Sequence, residues 1–207
     1  MSKIEYYHTI SGSGEGLYKE KGSKFVAFAY HVASESDVKE ALENLRKEYY
    51  DARHHCYAYM LGADRKNYRA NDDGEPNHSA GDPILGQINS KELTNVLVVV
   101  IRYFGGTKLG VSGLINAYKV AAEEALNNVK VVKVEITIPV VLTYNYDVTN
   151  EVMRLVSEFD IKINDQRFEA NCQLEGELKI GLKAGFVEKV QLLNDTGSAI
   201  DMQIDED

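Results

Sequence analysis

Arg53-His54-His55-Cys56 sets a guanidinium, two imidazoles and a thiol at consecutive positions, a group that could ligate a metal or activate a nucleophile. Strand geometry divides the group. Alternate side chains of a strand point to opposite faces, so His54 shares a face with Cys56, and His55 shares the other with Tyr57. A zinc site needs three or four ligands, and the additions in the sequence are His78 or the carboxylates of Asp72, Asp73 and Glu75. A hydrogen-bonded structural role is the expectation for at least one of the two histidines. No metal and no cofactor is assigned.

The segment Asn71-Asp72-Asp73-Gly74-Glu75-Pro76-Asn77-His78-Ser79-Ala80-Gly81-Asp82-Pro83 is the second dense constellation. As turn chemistry it folds a loop back and opens a helix, with Asp82 as N-cap and Pro83 at the first helical position. As reaction chemistry, its carboxylates could hold Mg²⁺ or buttress cations elsewhere, and Ser79 with a histidine and an aspartate could mimic a hydrolase triad. Neither Ser79 nor Ser112 lies in Gly-x-Ser-x-Gly, which weakens the triad.

The third is Val96-Leu97-Val98-Val99-Val100-Ile101-Arg102-Tyr103-Phe104-Gly105-Gly106-Thr107-Lys108-Leu109-Gly110. Six apolar, mostly β-branched residues predict a strand buried on both faces. The glycines then permit a tight turn, and an apolar helical period resumes from Leu114 to Leu126. Strand, glycine loop and helix N-terminus together can hold an anion, with Arg102 and Lys108 as fixed positive charge. The loop is neither a Walker A motif nor a Gly-x-Gly-x-x-Gly fingerprint. The bland alternative is that the glycines serve only close packing of helix on sheet.

The elements that must position these groups follow the chain in order. Strands are expected at 6–10, 17–21 and 25–32, with the glycine cluster at 12–16 as a hairpin turn. Val38, Ala41, Leu42, Leu45 and Tyr49 give a helix over 34–51 behind a Ser34 or Ser36 cap. A strand at 54–61 leads into a polar loop, 62–81, without periodicity. From residue 134 the pattern reads strand, helix, strand, strand, helix, strand, the βαββαβ order of a split βαβ unit.

Composition sets the bounds. The 207 residues are 44% hydrophobic and 27% charged, with a net charge of −9, and fit one or two globular domains. Residues 1–136 carry 17 Lys and Arg against 18 Asp and Glu, while residues 137–207 carry 6 against 14. Any phosphate contact therefore belongs to a local patch, and strong nonspecific nucleic-acid binding is disfavoured. No apolar leader opens the sequence and no run reaches a membrane span, so a cytoplasmic protein without membrane partners is expected. Cys56 and Cys172 are too few for a disulfide framework or a four-cysteine zinc site, and both are expected reduced and buried or half-buried.

Arg53-His54-His55-Cys56, then Asp72-Asp73-Gly74-Glu75-Pro76 with Ala80-Gly81, then Val98 through Gly110 resemble the signature segments of the IMPACT (YigZ-like) family, in the right order. The resemblance covers the full length, including a smaller second domain typical of bacterial members. Asn77-His78-Ser79 departs from it, standing where many members have a Ser-Gly-Thr-like stretch. It implies an α+β protein. Residues 1–133 would form an α/β domain similar to the second domain of a small-subunit ribosomal protein and to domain IV of elongation factor G. Residues 134–207 would form a ferredoxin-like domain similar to domain V of that factor. Eukaryotic relatives regulate translation and its stress kinase, so the resemblance implies a link to translation and no settled catalytic activity.

The leading expectation is a non-enzymatic protein that binds RNA or the ribosome and modulates translation, with a protein of the translation machinery as a further partner. Arg102, Lys108 and the amides around Gly105, Gly106 and Gly110 would contact phosphate, with Arg53, His54, His55 and Tyr103 beside them and Asp73 and Glu75 orienting the cations. The alternative is a hydrolase-type enzyme for a small phosphorylated or peptide-like substrate between loop 62–81 and glycine loop 105–113, with His54 or His55 as base. A pure protein-interaction module is the third class.

Overall fold

Two compact units make up the chain in the computed structural model, which describes residues 4–169 and 171–204. One unit is Tyr7–Val134, and the other gathers residues 4–6 with those described from Glu135 onward. Among the described residues no helix is long and apolar enough to cross a membrane.

The elements of the first unit are β1 (Tyr6–Ser11), β2 (Ser13–Glu20), β3 (Ser23–His31), α1 (Glu35–Glu48), β4 (His54–Leu61), β5 (Asn67–Asn71), α2 (Gly81–Ser90), β6 (Val96–Tyr103), α3 (Gly110–Asn127) and β7 (Lys130–Glu135), of which Tyr6 and Glu135 alone are counted in the other unit. Five strands form an antiparallel sheet in the order β2-β3-β6-β4-β5, and β1 pairs separately with β7. Helices cover both faces of the sheet, which is why β6 reads as an unbroken apolar run. Val96, Val98 and Val100 pack with α2 and α3, while Leu97, Val99 and Ile101 pack with α1. Helix α1 starts at Ser34, whose hydroxyl accepts from the Asp37 amide while the Asp37 carboxylate accepts from the Ser34 amide, a complete capping box.

Three local expectations are corrected. Gly14 and Gly16 lie inside β2 rather than in a hairpin turn, because α3 presses directly on that strand. A Cβ at Gly16 would lie 2.6 Å from the Ala125 amide nitrogen and 2.7 Å from the Ala121 carbonyl oxygen. The chain turns at Gly12, the first residue of the expected cluster, between β1 and β2, and at Lys21-Gly22, between β2 and β3. Loop 62–81 contains the short exposed strand β5, whose polar edge position hides it from periodicity. Helix α2 begins at Gly81 with Ala80 at its cap, so Asp82 and Pro83 fall inside its first turn. The carboxylate of Asp72 takes over the capping: its Oδ1 accepts from the amides of Ala80 (3.0 Å) and Gly81 (2.8 Å).

The second unit follows the expected order: β8 (Thr137–Tyr144), α4 (Thr149–Glu158), β9 (Lys162–Phe168), β10 (Cys172–Lys179), α5 (Lys183–Asp195) and β11 (Ile200–Ile204). Its sheet runs β11-β8-β10-β9, with every neighbouring pair antiparallel. Strand β10 alternates buried and half-buried positions, placing Leu174 and Leu178 in a core with Val140, Leu142, Val152, Leu155 and Phe186. Cys172 lies in this core and Cys56 in that of the first unit, so both thiols are free and buried as expected.

Candidate anion-binding pocket

Antiparallel register places Arg102 of β6 directly between Phe25 of β3 and His54 of β4, on the face covered by α2 and α3. The guanidinium is buried. Its Nη1 donates to Glu75 Oε1 at 2.6 Å, and its carbon lies 5.6 Å from the Phe25 ring centre and 5.7 Å from that of Phe104. The Tyr118 hydroxyl, from α3, donates to the same Glu75 oxygen at 2.8 Å, and the Cys56 sulfur lies 3.3 Å from that hydroxyl. Burial pushes the Cys56 thiol and the Tyr118 phenol well above their ordinary ranges, so both stay protonated. The Arg102 Nε has no partner.

The two histidines part as strand alternation requires. His54 Nδ1 lies 2.8 Å from the Asp73 carbonyl oxygen. A carbonyl only accepts, so Nδ1 carries the proton, and in the neutral ring Nε2 is left as an acceptor. His55 turns to the α1 face and is buried, and its amide donates to Asp73 Oδ2 at 2.7 Å. Desolvation holds the His55 imidazole below its ordinary pKa. That position removes His55 from the pocket, as binder or as base.

Asp73 is likewise committed elsewhere, fastening β4 and lying 3.8 Å from Arg46 of α1 rather than orienting the pocket cations. Tyr103 faces α1 too. Its hydroxyl donates to Asp51 Oδ1 at 2.8 Å, and desolvation together with that carboxylate pushes its pKa up to about 12. Gly105 serves packing: its amide donates to Ser23 Oγ at 3.1 Å, and a Cβ there would land on the Gly22 backbone. Gly106 and Gly110 have φ of +88° and +72°, with open space around them.

What remains converges on one pocket of about 460 Å³ within the first unit. Arg53, His54, Glu75, Arg102, Lys108 and Gly110 line it, six of the positions expected from sequence. Arg53 and Lys108 are exposed. Pro76, Phe104, Leu109, Val111 and Leu114 supply apolar lining that is absent from the positions expected from sequence. Phe104 carried a signal: an aromatic at the mouth of a glycine loop between two cations. The start of α3 opens here with Leu109 at its cap, no side-chain cap and no acidic residue in its first turn, leaving the positive end of the helix dipole to the pocket.

The hydrolase constellation does not assemble. Ser79 is fully buried and its hydroxyl donates to the Pro76 carbonyl at 2.6 Å, while His78 pairs with Asp82 at 2.7 Å on the surface. Among the described residues no three His, Cys, Asp or Glu side chains lie where they could share a metal ion.

Comparison with known proteins places this architecture among relatives. The Impact N-terminal domain family matches residues 21–126, which include the whole pocket. The IMPACT family member YvyE of Bacillus subtilis is 31% identical over 172 residues, 83% of this chain and 79% of that protein. The IMPACT family member YigZ of Escherichia coli is 31% identical over 172 residues, 82% of this chain and 84% of that protein. A crystal structure titled only as that of a hypothetical protein superposes with a TM-score of 0.68 at 28% identity, covering 99% of this chain and 100% of that one.

Proposed function

This chain belongs to the IMPACT family, and from that premise we propose that it is a cytoplasmic, non-enzymatic protein that binds RNA or the ribosome and modulates translation. The observation that carries the reading is the pocket itself: exposed Arg53 and Lys108 beside exposed Phe104 at an uncapped helix start. Cations and helix amides suit phosphate, and an exposed aromatic among cations suits a base. The family resemblance links an α/β domain of this kind to a ribosomal protein and to elongation factor G, and the mixed helices and antiparallel sheet of the first unit are compatible with that reading. The order β11-β8-β10-β9 agrees with a ferredoxin-like second domain, which at its acidic composition would contact protein rather than nucleic acid.

Purified protein titrated with ribosomes and with labelled structured RNA across a salt series tests the proposal. Arg53→Ala/Lys108→Ala is the variant of choice, because both side chains are exposed, and an unchanged melting temperature checks that it folds. Loss of two phosphate contacts should lower the slope of log K against log salt by about 1.4 to 1.8. Absence of binding at low salt, or an unchanged slope in the variant, overturns the reading.

A further inference from the structure

We propose that the pocket accepts one unpaired nucleotide, its phosphate at the start of α3 beside Lys108 and its base against Phe104, a refinement that rests on the RNA-binding reading above. Depth is the first argument. The Arg102 side chain is 8% exposed and lines the pocket, so only a group that enters the cavity meets it. Phosphates of a duplex are held on a stiff rod and stay outside, whereas nucleotides of loops and ends can be splayed out and inserted.

Polarity is the second. The cavity is lined both by cations and helix amides and by the apolar side chains of Phe104, Leu109 and Val111. A bare phosphate leaves the apolar groups unused; a nucleotide uses both kinds. Phe104 is 56% exposed and carries the Arg102 guanidinium 5.7 Å from its ring centre, so a base stacking on the ring extends an existing cation and aromatic pair.

Unused hydrogen-bond capacity is the third. His54 lines the pocket, and with the Nδ1 proton directed to the Asp73 carbonyl, Nε2 of the neutral ring is left to accept. A nucleotide supplies a complement, a base amino or ribose hydroxyl group. At about 460 Å³ the cavity is within the size range of small-ligand pockets.

The test uses the full chain and fluorescence anisotropy with a labelled ten-nucleotide single-stranded RNA, a blunt duplex of the same sequence, and unlabelled AMP or inorganic phosphate as competitors. The single strand should bind at least tenfold more tightly than the duplex, and AMP should displace it at concentrations where inorganic phosphate does not. Phe104→Ala should weaken single-strand binding about 5- to 150-fold, while Phe104→Tyr keeps it, with melting temperatures unchanged in both. Equal binding of single strand and duplex with Phe104→Ala silent overturns the nucleotide pocket and leaves RNA binding standing. Displacement by inorganic phosphate as readily as by AMP also overturns it. AMP binding without RNA binding supports the pocket and overturns the RNA reading, and binding of neither overturns both.

Discussion

Glu75 and Arg102, 27 residues apart in sequence, meet at 2.6 Å with side chains only 5% and 8% exposed. The pair joins the loop after β5 to the end of β6, and Tyr118 ties it to α3. Three separate parts of the sequence are thereby held around one pocket. Arg102 thus positions the walls of the pocket, and its charge is largely compensated by Glu75.

Breaking the pair from one side should be costly. Arg102→Met leaves the Glu75 carboxylate buried beside a hydroxyl alone, and should lower unfolding free energy by about 3–5 kcal/mol. Glu75→Leu exposes the opposite problem, a buried cation. Arg102→Met/Glu75→Leu removes both charges together and should cost clearly less than the two single losses added. Urea unfolding of the two singles and the double gives the coupling energy, and simple additivity would sink this account.

Two neighbouring glycines separate packing from conformational freedom. Gly105→Ala must move the Gly22 turn, because a Cβ has no space against that backbone. Gly106→Ala meets open space and has only the left-handed strain of φ +88°, about 1–2 kcal/mol. Thermal melts should therefore show a loss of roughly 2–8 °C for Gly106→Ala and a larger loss for Gly105→Ala. Equal losses would mean that the contact with Gly22 yields easily, and Gly105 would return to the candidates for ligand contact.

Much of this arrangement is legible without coordinates because it depends on local rules. Alternation along β4 separates His54 from His55, the Ser34 capping box starts α1, and the βαββαβ order of the second unit follows from periodicity. The illegible parts depend on partners distant in sequence. Gly14 and Gly16 look like turn residues until α3 is laid on β2, 107 residues away at the Leu17 to Glu124 contact. Glu75 reads from sequence as orienting the cations, but that it meets Arg102 in a buried pair depends on parts of the chain 27 residues apart. Asp82-Pro83 is a sound helix start by local chemistry, yet Asp72 outcompetes it by reaching the α2 amides from the preceding loop.

That reach gives the capping carboxylate a measurable pH signature. Burial opposes ionisation of Asp72, but the amides of Gly81, His78 and Ala80 outweigh it and hold its pKa below the ordinary 3.8. A carboxyl whose folded pKa is depressed contributes stability that is fully present above its unfolded value and is lost as pH falls through the folded one. Asp72→Ala should therefore cost about 1–3 kcal/mol at pH 7, by stranding three amides. Its deficit relative to wild type should be the same at pH 5, then narrow below about pH 4 by at most about 1.4 kcal/mol per pH unit. Urea midpoints for both proteins at pH 7, 5 and 3 measure this directly. A deficit that persists undiminished at pH 3 would show that Asp72 acts by shape rather than by charge, and that the start of α2 is held by something other than its carboxylate.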